Sequence, residues 1–532
     1  MLSKRCTTMA LPTTTSVLVI GSGNAGLCAA ISAAESGARN VLLIDACPES
    51  WAGGNSYFTA GAFRTVHHGL PDILPLVNNV DATTAARIDM EPYTVKHFSD
   101  DIERICIGRS DPELARTLVG DSNAAVKWLA KHGVRFQLSF NRQAYEIEGR
   151  FKFWGGMCLK TQDGGKGLIA DEKRAAEKLG VKVVYGTAAK RLVLDSTVGK
   201  VRSVIVQDDT GEREIQVGAV VLAAGGFEAN PRMRAQFLGP GWDFAKVRGT
   251  PYNSGSCFEM AIGDASAKQA GNWSGCHSVA WDTNAPANSG DREISNEFTK
   301  SGYPLGLMLN LEGERFVDEG VDMRNYTYAI FGKAILAQPG HAAFQVWDAN
   351  MTPWLRSEEY RDEIVERITA DTLEELAEKC AKRGLRNPGK FQSTIKEYNE
   401  AVAAFEAENP GHKWDPAIRD RLSTQSAQKQ LKLAKSNWAT PLTKGPFIAV
   451  KVTCGVTFTF GGLAVNPETA GVISSATNST IPGLYCAGEM LGGLFYDNYP
   501  GGSGLTSGAV FGRRAGRAAA AQTLKRSVEA RL

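Results

Sequence analysis

The sequence predicts an α/β protein in which both ends of the chain build one Rossmann-like domain around an inserted α+β capping domain. Three observations lead to this: a strand, glycine turn and helix near the N-terminus, a similar pattern near the C-terminus, and a change of composition between them. The expected bounds are 15–275 and 444–532 for the first domain, with a helical insertion at about 72–150, and 276–443 for the capping domain.

Length and composition narrow the function classes. A chain of 532 residues is too long for one core, and a net charge of +2 argues against a nucleic-acid partner. Ten cysteines without a CxxC pair predict a reducing, cytoplasmic location and no metal, iron–sulfur or haem site. Apolar runs are too short for a membrane span. The first fifteen residues are expected to be a frayed terminus rather than a weak targeting leader.

The first element is a βαβ unit. The run from Ser16 to Ile20 predicts a strand, GSGNAG predicts a turn, and an Ala-rich helix ends at Gly37 before the strand Val41 to Ile44. In such a unit the three glycines form the turn, admit a pyrophosphate and pack helix on strand. The acid that follows the second strand accepts hydrogen bonds from ribose hydroxyls. The residues expected to bind the nucleotide are Gly21, Ser22, Gly23, Asn24, Ala25, Gly26 and Asp45.

The middle of the chain changes character twice. Pro71 to His132 reads as helical, and four short strands follow, with the turn 208–211 joining the third to the fourth. These strands are Val181 to Tyr185, Lys190 to Leu194, Val201 to Val206 and Val217 to Ala223. After Ala265, tryptophans, prolines and the helical stretch Leu373 to Arg383 indicate a separate module. Strand character then returns at Pro441 to Val452 and at Gly461 to Val465.

The C-terminal element joins a buried strand, Gly488-Glu489 and a glycine-rich turn to a small-residue helix. Unpaired N–H groups and the positive dipole end of such a helix favour an anion or an electron-rich ring. Because a second anion-binding turn lies near the N-terminus, both ends are expected to hold one ligand.

Four motifs together resemble flavoproteins that bind FAD in a Rossmann-like domain of the glutathione-reductase type. They are the first glycine turn, Gly53-Gly54-Asn55-Ser56, Ala223-Ala224-Gly225-Gly226-Phe227 and Gly488-Glu489. The further FAD contacts that this resemblance implies are Gly53, Gly54, Asn55, Ser56, Ala60, Gly61, Ala189, Ala223, Ala224, Gly225, Glu489, Ser503, Leu505 and Thr506. Some relatives attach flavin to a histidine after the GG motif, where this chain has Asn55 to Thr59, so non-covalent FAD is expected. His67 and His68 are expected to be a solvated loop pair rather than flavin neighbours.

The segment GERFVDE at 313–319, followed by Arg324, resembles a motif of the fumarate reductase and succinate dehydrogenase flavoprotein family. The resemblance covers nearly the whole chain. It implies that Arg324 transfers a proton while a hydride moves between flavin N5 and the adjacent substrate carbon. The alternative for Arg324 is a structural salt bridge to Asp318, Glu319 or Asp322.

Two positions separate the subfamilies. Dicarboxylate reductases of the family have a substrate-binding histidine and arginine where this chain has Thr457 and Tyr499. Together with GNWSGCH at 271–277 and RNYTY at 324–328, these residues resemble the FAD-dependent tricarballylate dehydrogenases, which form cis-aconitate. That resemblance implies that His277 and Arg324 contact carboxylates, Tyr499 offers a phenol and Thr457 hydrogen-bonds the substrate. For His277, a structural buried histidine is equally compatible with the sequence.

The expected function is therefore an FAD-dependent dehydrogenase that acts on a CH–CH bond next to a carboxylate, with a small carboxylate as substrate. The alternatives are an enzyme like 3-ketosteroid Δ1-dehydrogenase, in which a tyrosine polarises a ketone, and one like fumarate reductase. A flavin-bearing sensor without turnover would not need Arg324, and a nicotinamide enzyme would need a second GxGxxG. Electrons are expected to leave through a separate acceptor protein, a carrier or oxygen.

Overall fold

The computed structural model describes residues 11–529, so the expectation for the extreme N-terminus lies partly outside it. An eight-stranded sheet forms the centre of the first domain. Its five parallel strands lie in the spatial order Lys182–Val184, Val41–Ile44, Thr14–Ile20, Gly211–Leu222 and Thr480–Cys486. The last strand comes from the far end of the chain, which confirms that both ends build one sheet.

Of the four short strands predicted between 181 and 223, the last three form an antiparallel meander, whereas the first is the parallel edge strand Lys182–Val184 beside Val41–Ile44. Ala188–Leu194, Val201–Asp208 and Gly211–Leu222 pair antiparallel in sequence order, and the third strand continues into the parallel part of the sheet. The turn between the second and third is held by Asp208, whose side chain accepts a hydrogen bond from the Thr210 N–H at 2.8 Å. The remaining strand, Gly471–Ile473, pairs with Thr480–Cys486.

A second sheet of six strands lies in the middle of the chain. Its longest strand is Phe447–Leu463, with 17 residues. The sequence prediction of two strands separated by 453–460 was wrong, because that segment is itself paired with Gln269–Asp282 and almost wholly buried. The other strands are Lys246–Val247, Leu307–Asn310, Ala343–Trp347 and Ile368–Ala370. The expected domain boundary at 275 falls inside Gln269–Asp282.

The insertion expected to be helical also contains strands. Val95–Ile105 and Pro112–Lys131 are its main helices, and their side-chain N-caps are Thr94 and Asp111. Two small sheets accompany them, formed by Ala62–Phe63, Leu159–Thr161 and Phe136–Leu138, and by Ile88–Met90, Arg150–Phe153 and Ala144–Ile147. The period-3.6 pattern identified the long helices but not these strands of two to four residues.

Helices cover both sheets. Asn24–Glu35 packs on the main sheet and against the C-terminal helix Ser503–Glu529, so the first and last helices touch. The capping module has its own core, in which Pro388–Glu408 buries Phe391, Ile395 and Tyr398. The other α-helices are Leu70–Ile73, Ala82–Ala85, Phe140–Gln143, Gly164–Lys178, Pro231–Met233, Ser256–Ala265, Tyr328–Leu336, Ser357–Tyr360 and Leu373–Ala381.

Candidate active site

One elongated cavity begins at the carboxyl edge of the main sheet and continues between the insertion and the second sheet. It encloses about 1840 Å³ of space, part of it open to solvent. Ile20, Asp45, Ala223 and Glu489 lie at or just after the ends of four parallel strands and line it. Ligands of open α/β sheets bind at this edge, where the chain leaves the strands.

At the nucleotide end, the helix Asn24–Glu35 starts at Gly23 without a side-chain cap and without an acid in its first turn. The Asn24 N–H donates to the Ser56 hydroxyl at 3.2 Å, and the next N–H groups of the first turn can bind an anion. Gly21 has φ +110°, and a Cβ there would lie 2.3 Å from the Ala223 carbonyl oxygen. At Gly23, by contrast, a Cβ would meet nothing closer than 3.6 Å. Packing within the protein explains why residue 21 is a glycine, whereas the space beside Gly23 is left open for a ligand.

Asp45 fixes the first turn. Its Oδ2 accepts hydrogen bonds from the Ser22 N–H at 2.7 Å and from the Ser22 hydroxyl at 2.6 Å. The Ser22 hydroxyl oxygen in turn accepts from the Gly53 N–H at 3.2 Å. The two predicted glycine motifs are thereby joined at the edge of the cavity.

Asn55 connects this end to the rest of the cavity. Its side-chain amide donates to Glu228 Oε1 at 2.5 Å and to the Thr457 carbonyl, while its Oδ1 accepts from the Thr250 N–H at 2.9 Å. Glu228 is fully buried next to Glu489, which lines the cavity. Ser56, Ala60, Ala189, Ala224 and Gly225 also line it, while Gly26, Gly53 and Gly61 lie behind the wall.

The C-terminal turn closes the cavity from the other side. Gly501, Gly502 and Leu505 line it, whereas Ser503 and Thr506 face inward to the protein. The Thr506 hydroxyl donates to the Arg64 carbonyl at 2.7 Å, and the Arg64 Nε donates to the Gly501 carbonyl at 2.8 Å. The turn predicted to lie beside the flavin is therefore anchored by a buried arginine.

The opposite end of the cavity is basic. Arg248 follows the strand Lys246–Val247, which pairs with the long strand Phe447–Leu463 and sets Arg248 beside Thr457. Its Nη1 donates to the Thr457 hydroxyl at 2.8 Å, and its Nη2 donates to Asn296. Arg248, Asn296 and Thr457 all line the cavity.

His277 and Tyr499 meet in the same region. Their ring centroids are 4.9 Å apart in an edge-to-face arrangement, and both line the cavity. Burial, and then the nearby Arg248 charge, lower the pKa of His277 well below its usual value. His277 is thus a neutral ring here, able to donate a hydrogen bond but not to serve as a second cation.

Two further arginines line this end, and the sequence pattern did not find them. Arg356 Nη1 lies 3.1 Å from Glu359 Oε1, and Arg142 Nη2 lies 3.9 Å from the same oxygen. Although burial opposes it, the charges of Arg356 and Arg142 help hold the pKa of Glu359 at about 2. Arg142 comes from the insertion and Arg356 from the capping module, so no local motif joins them.

Arg324 does not line the cavity. It starts the short helix Arg324–Tyr326, and the Asn498 side chain donates to the Tyr326 carbonyl, which ties this helix to the residue before Tyr499. The three acids considered as salt-bridge partners have other contacts: Asp318 with Ser436, Glu319 with Arg315 and Asp322 with Arg104. The Arg315 of the GERFVDE motif thus forms a buried ion pair that holds the loop.

The expectation for His67 was wrong. His67 is fully buried, where its Nδ1 accepts the Gly69 N–H at 3.2 Å and its ring stacks near Tyr93. His68 is exposed as expected. Two adjacent histidines are usually exposed, so the sequence did not indicate that the His67 ring packs under the insertion. Neither His67 nor His68 lines the cavity.

Comparison with known proteins identifies the family. A family model described as "FAD binding domain" matches residues 16–505. The chain belongs to this family. It is 26% identical over 511 residues to a probable fumarate reductase, Ifc3, of Shewanella frigidimarina (strain NCIMB 400), over 96% of this chain and 76% of that protein.

Two solved structures show the same architecture. An open conformation of a flavocytochrome c3 fumarate reductase has a TM-score of 0.70 and 25% identity, covering 96% of this chain and 79% of that one. A 3-ketosteroid Δ1-dehydrogenase of Sterolibacterium denitrificans, solved with 1,4-androstadiene-3,17-dione, has a TM-score of 0.71 and 18% identity, covering 96% and 100%. The second likeness is one of fold alone.

The cavity fits the cofactor of the FAD-binding family. The uncapped helix start, the open space at Gly23 and a cavity lined by both ends of the chain suit a dinucleotide with an anionic pyrophosphate. The protein is an FAD-dependent oxidoreductase, similar over nearly its whole length to fumarate reductases, and it acts on a CH–CH or C=C bond. Among residues 11–529, no helix combines the length and apolar composition that crossing a membrane requires.

Proposed function

We propose that this enzyme oxidises a saturated polycarboxylate to the alkene. The substrate is tricarballylate, which gives cis-aconitate, or a similar tricarboxylate. The observation that carries the proposal is the basic end of the cavity, where Arg142, Arg248 and Arg356 face the same space as Tyr499. With Glu359 as the acid among them, this end has an excess of positive charge, which suits a ligand with several carboxylates.

Each side chain at this end has a proposed part. Arg248, held by Thr457 and Asn296, binds one carboxylate, and Arg356 with Arg142 binds another. Neutral His277 donates a hydrogen bond to the substrate, and the Tyr499 hydroxyl lies where the reacting carbons enter. Bound FAD supplies the hydride acceptor at N5.

Arg324 keeps the part of proton acceptor in this proposal. Arg324 does not line the cavity, so in this part it would reach the reacting carbon from the short helix that Asn498 ties to the residue before Tyr499. An arginine side chain is ordinarily a protonated guanidinium with no acceptor atom, so Arg324 can take the substrate proton only after it has passed its own proton to solvent, and its use depends on positioning next to the carbon that loses the proton.

A ketosteroid is the second candidate. Tyr499 is surrounded by Phe458, Phe460 and Phe495, with ring centroids 5.5–6.4 Å from its own. An aromatic wall around a phenol suits an apolar ketone better than a small acid. The three arginines of the same cavity favour the carboxylate.

The proposal also covers how FAD is held, where the electrons go and where the protein is located. We infer that FAD is held non-covalently and that a separate protein, carrier or oxygen accepts the electrons. Acid precipitation should leave the flavin in the supernatant. The nine cysteines of the described residues are buried thiols, which supports the proposed cytoplasmic location.

Product analysis tests the proposal. The enzyme is incubated with tricarballylate and an artificial electron-accepting dye, and the acid is identified by mass spectrometry. A product two hydrogens lighter that matches cis-aconitate is expected. An unchanged acid, together with reduction of aconitate by the photoreduced enzyme, would reverse the proposed direction.

A further inference from the structure

A carboxylate of the protein itself lies at the basic end of the cavity. Among residues 11–529, the charged side chains that line this end are Arg142, Arg248, Arg356 and Glu359. Glu359 belongs to the short helix Ser357–Tyr360 of the capping module and is fully buried. A buried acid needs partners for both of its oxygens, and those partners differ in kind.

The first oxygen of Glu359 is held by the neighbouring chain. Oε2 accepts hydrogen bonds from the Ser301 N–H at 2.9 Å and from the Ser301 hydroxyl at 2.6 Å. The next side chain, Tyr360, accepts from the Gly302 N–H at 2.7 Å and donates to Gln345 at 2.8 Å. These bonds fix the position of the Glu359 carboxylate in the cavity wall.

The second oxygen of Glu359 faces two arginines from different modules. Oε1 lies 3.1 Å from Arg356 Nη1 and 3.9 Å from Arg142 Nη2. Burial alone would raise the pKa of Glu359, but the two arginine charges and the Ser301 hydrogen bonds hold it at about 2. Glu359 is therefore ionised at neutral pH. Two positive charges and one negative charge leave this three-residue cluster with a net charge of +1.

Arg248 is the other positive point at this end of the cavity. It donates to the Thr457 hydroxyl at 2.8 Å and to the Asn296 side chain. Asn296 and Ser301 belong to one short segment, so this segment holds Arg248 at one end and Glu359 at the other. The basic end thus has two positive points, the Arg248 side chain and the cluster around Glu359.

We propose that Glu359 acts as an internal carboxylate that sets the charge of this cluster, so that the cluster accepts one substrate carboxylate and disfavours a second. A ligand carboxylate that approaches Arg142 or Arg356 also approaches the fixed Glu359 carboxylate. Like charges at this distance repel strongly where little water separates them. Glu359 is therefore a specificity-determining residue, and the inference rests on the proposed function for its ligand class, the polycarboxylates.

The test measures the binding of three acids to the FAD-loaded enzyme by calorimetry, above the pKa of every ligand carboxyl group. Butyrate, glutarate and citrate carry one, two and three carboxylates on a three-carbon chain. Citrate is not a substrate for loss of two hydrogens, because its central carbon carries none. Glu359→Gln removes the internal charge, so the gain in affinity should grow from butyrate to glutarate to citrate. For citrate it should reach roughly tenfold or more.

A compensating variant separates the charge of Glu359 from a merely structural part. Arg142→Gln changes the charge of the cluster in the opposite direction and should weaken citrate binding. The double variant Glu359→Gln/Arg142→Gln has a net charge of +1 again, so it should bind citrate within roughly threefold of the wild type. It also keeps the inference testable if Glu359→Gln alone does not fold.

Glu358→Gln is the matched control. Glu358 lies in the same helix and accepts a hydrogen bond from the Asn141 amide of the insertion at 2.9 Å, but it does not line the cavity. This variant should bind all three acids with wild-type affinity.

Three results would overturn the inference: unchanged or weaker citrate binding in Glu359→Gln, a double variant that binds citrate no better than Arg142→Gln, or no citrate binding to any of these proteins. Failure of the proposed function has a different sign, because it appears as the absence of cis-aconitate from incubations with tricarballylate. The citrate measurements need no turnover, so the two failures are distinguishable.

Discussion

Arg248 is the residue on which the substrate assignment depends most. It is nearly buried, it reaches Thr457 and Asn296, and it lies over the Trp281 ring at 5.3 Å. A buried guanidinium held in this way is a preformed carboxylate site.

Arg248→Met should lower kcat/KM for the acid by roughly 30-fold or more, since truncating one partner of a buried charge pair costs about 2–5 kcal/mol. Steady-state kinetics measure the effect. Arg232→Met is the control, because Arg232 pairs with Glu259 on the surface and should leave kcat/KM unchanged. Equal losses in both variants would refute a substrate contact for Arg248.

Substitutions of Tyr499 and Arg324 test the chemical step rather than cofactor binding. Tyr499→Phe keeps the packing against His277 and Phe458 but removes the hydroxyl. We expect kcat to fall by about 10²–10⁴-fold in Tyr499→Phe and in Arg324→Ala if each group takes part in proton transfer. FAD content, read from absorbance, should stay at the wild-type level. Full flavin reduction by substrate in Arg324→Ala would exclude its part as proton acceptor.

A substitution at Gly23 tests cofactor binding rather than folding. A Cβ at Gly23 meets no protein atom within 3.5 Å, so Gly23→Ala should fold with little change in Tm. It should purify with much less FAD, because the methyl group occupies the space at the helix start. Gly263→Ala, where nothing lies within 4 Å, is the control and should keep full FAD content. Full FAD in Gly23→Ala would place the pyrophosphate elsewhere.

At the scale of elements, the two terminal helices determine the shape of the FAD end. Asn24–Glu35 and Ser503–Glu529 approach closely because Gly512 and Gly516 lie against the backbone of the first helix. Small residues allow this approach, and a larger one would push the helices apart.

Gly516→Ala should destabilise the protein by about 1–3 kcal/mol, because its Cβ would lie 2.1 Å from the Ala29 carbonyl oxygen. Gly120→Ala is a matched helical substitution with nothing within 4 Å, and it should stabilise by up to about 1 kcal/mol. Thermal melts of both variants should therefore shift in opposite directions. A shift of the same sign would show that helix propensity, not packing, decides the effect.

The elements also show what the sequence could predict. The FAD end was predictable because a tight turn and a close phosphate approach require glycine at fixed spacing, as in 21–26. The basic end was not, because Arg142, Arg248 and Arg356 come from three segments that only the tertiary fold brings together. The strand through 453–460 was missed even though Thr457 to Phe460 alternate polar and apolar residues, because its pairing partner Gln269–Asp282 is distant in sequence and only the fold shows that the segment is paired and buried.

For the whole molecule, we propose that FAD and substrate share one cavity, whose walls come from the first domain, the insertion and the capping module. The two ends of the chain provide the walls of the FAD end of the cavity, and the segments between them provide Arg142, Arg248 and Arg356 at the basic end. A cofactor held by both ends should strongly stabilise the fold, since ligands that bind only the native state add to its stability.

The central claim is that this cavity oxidises a polycarboxylate. The most direct measurement is the flavin absorbance of the purified enzyme under anaerobic conditions with tricarballylate, succinate and a 3-ketosteroid in turn. We expect bleaching by tricarballylate, little or none by succinate, and none by the steroid. Bleaching by the steroid with no response to either acid would contradict it.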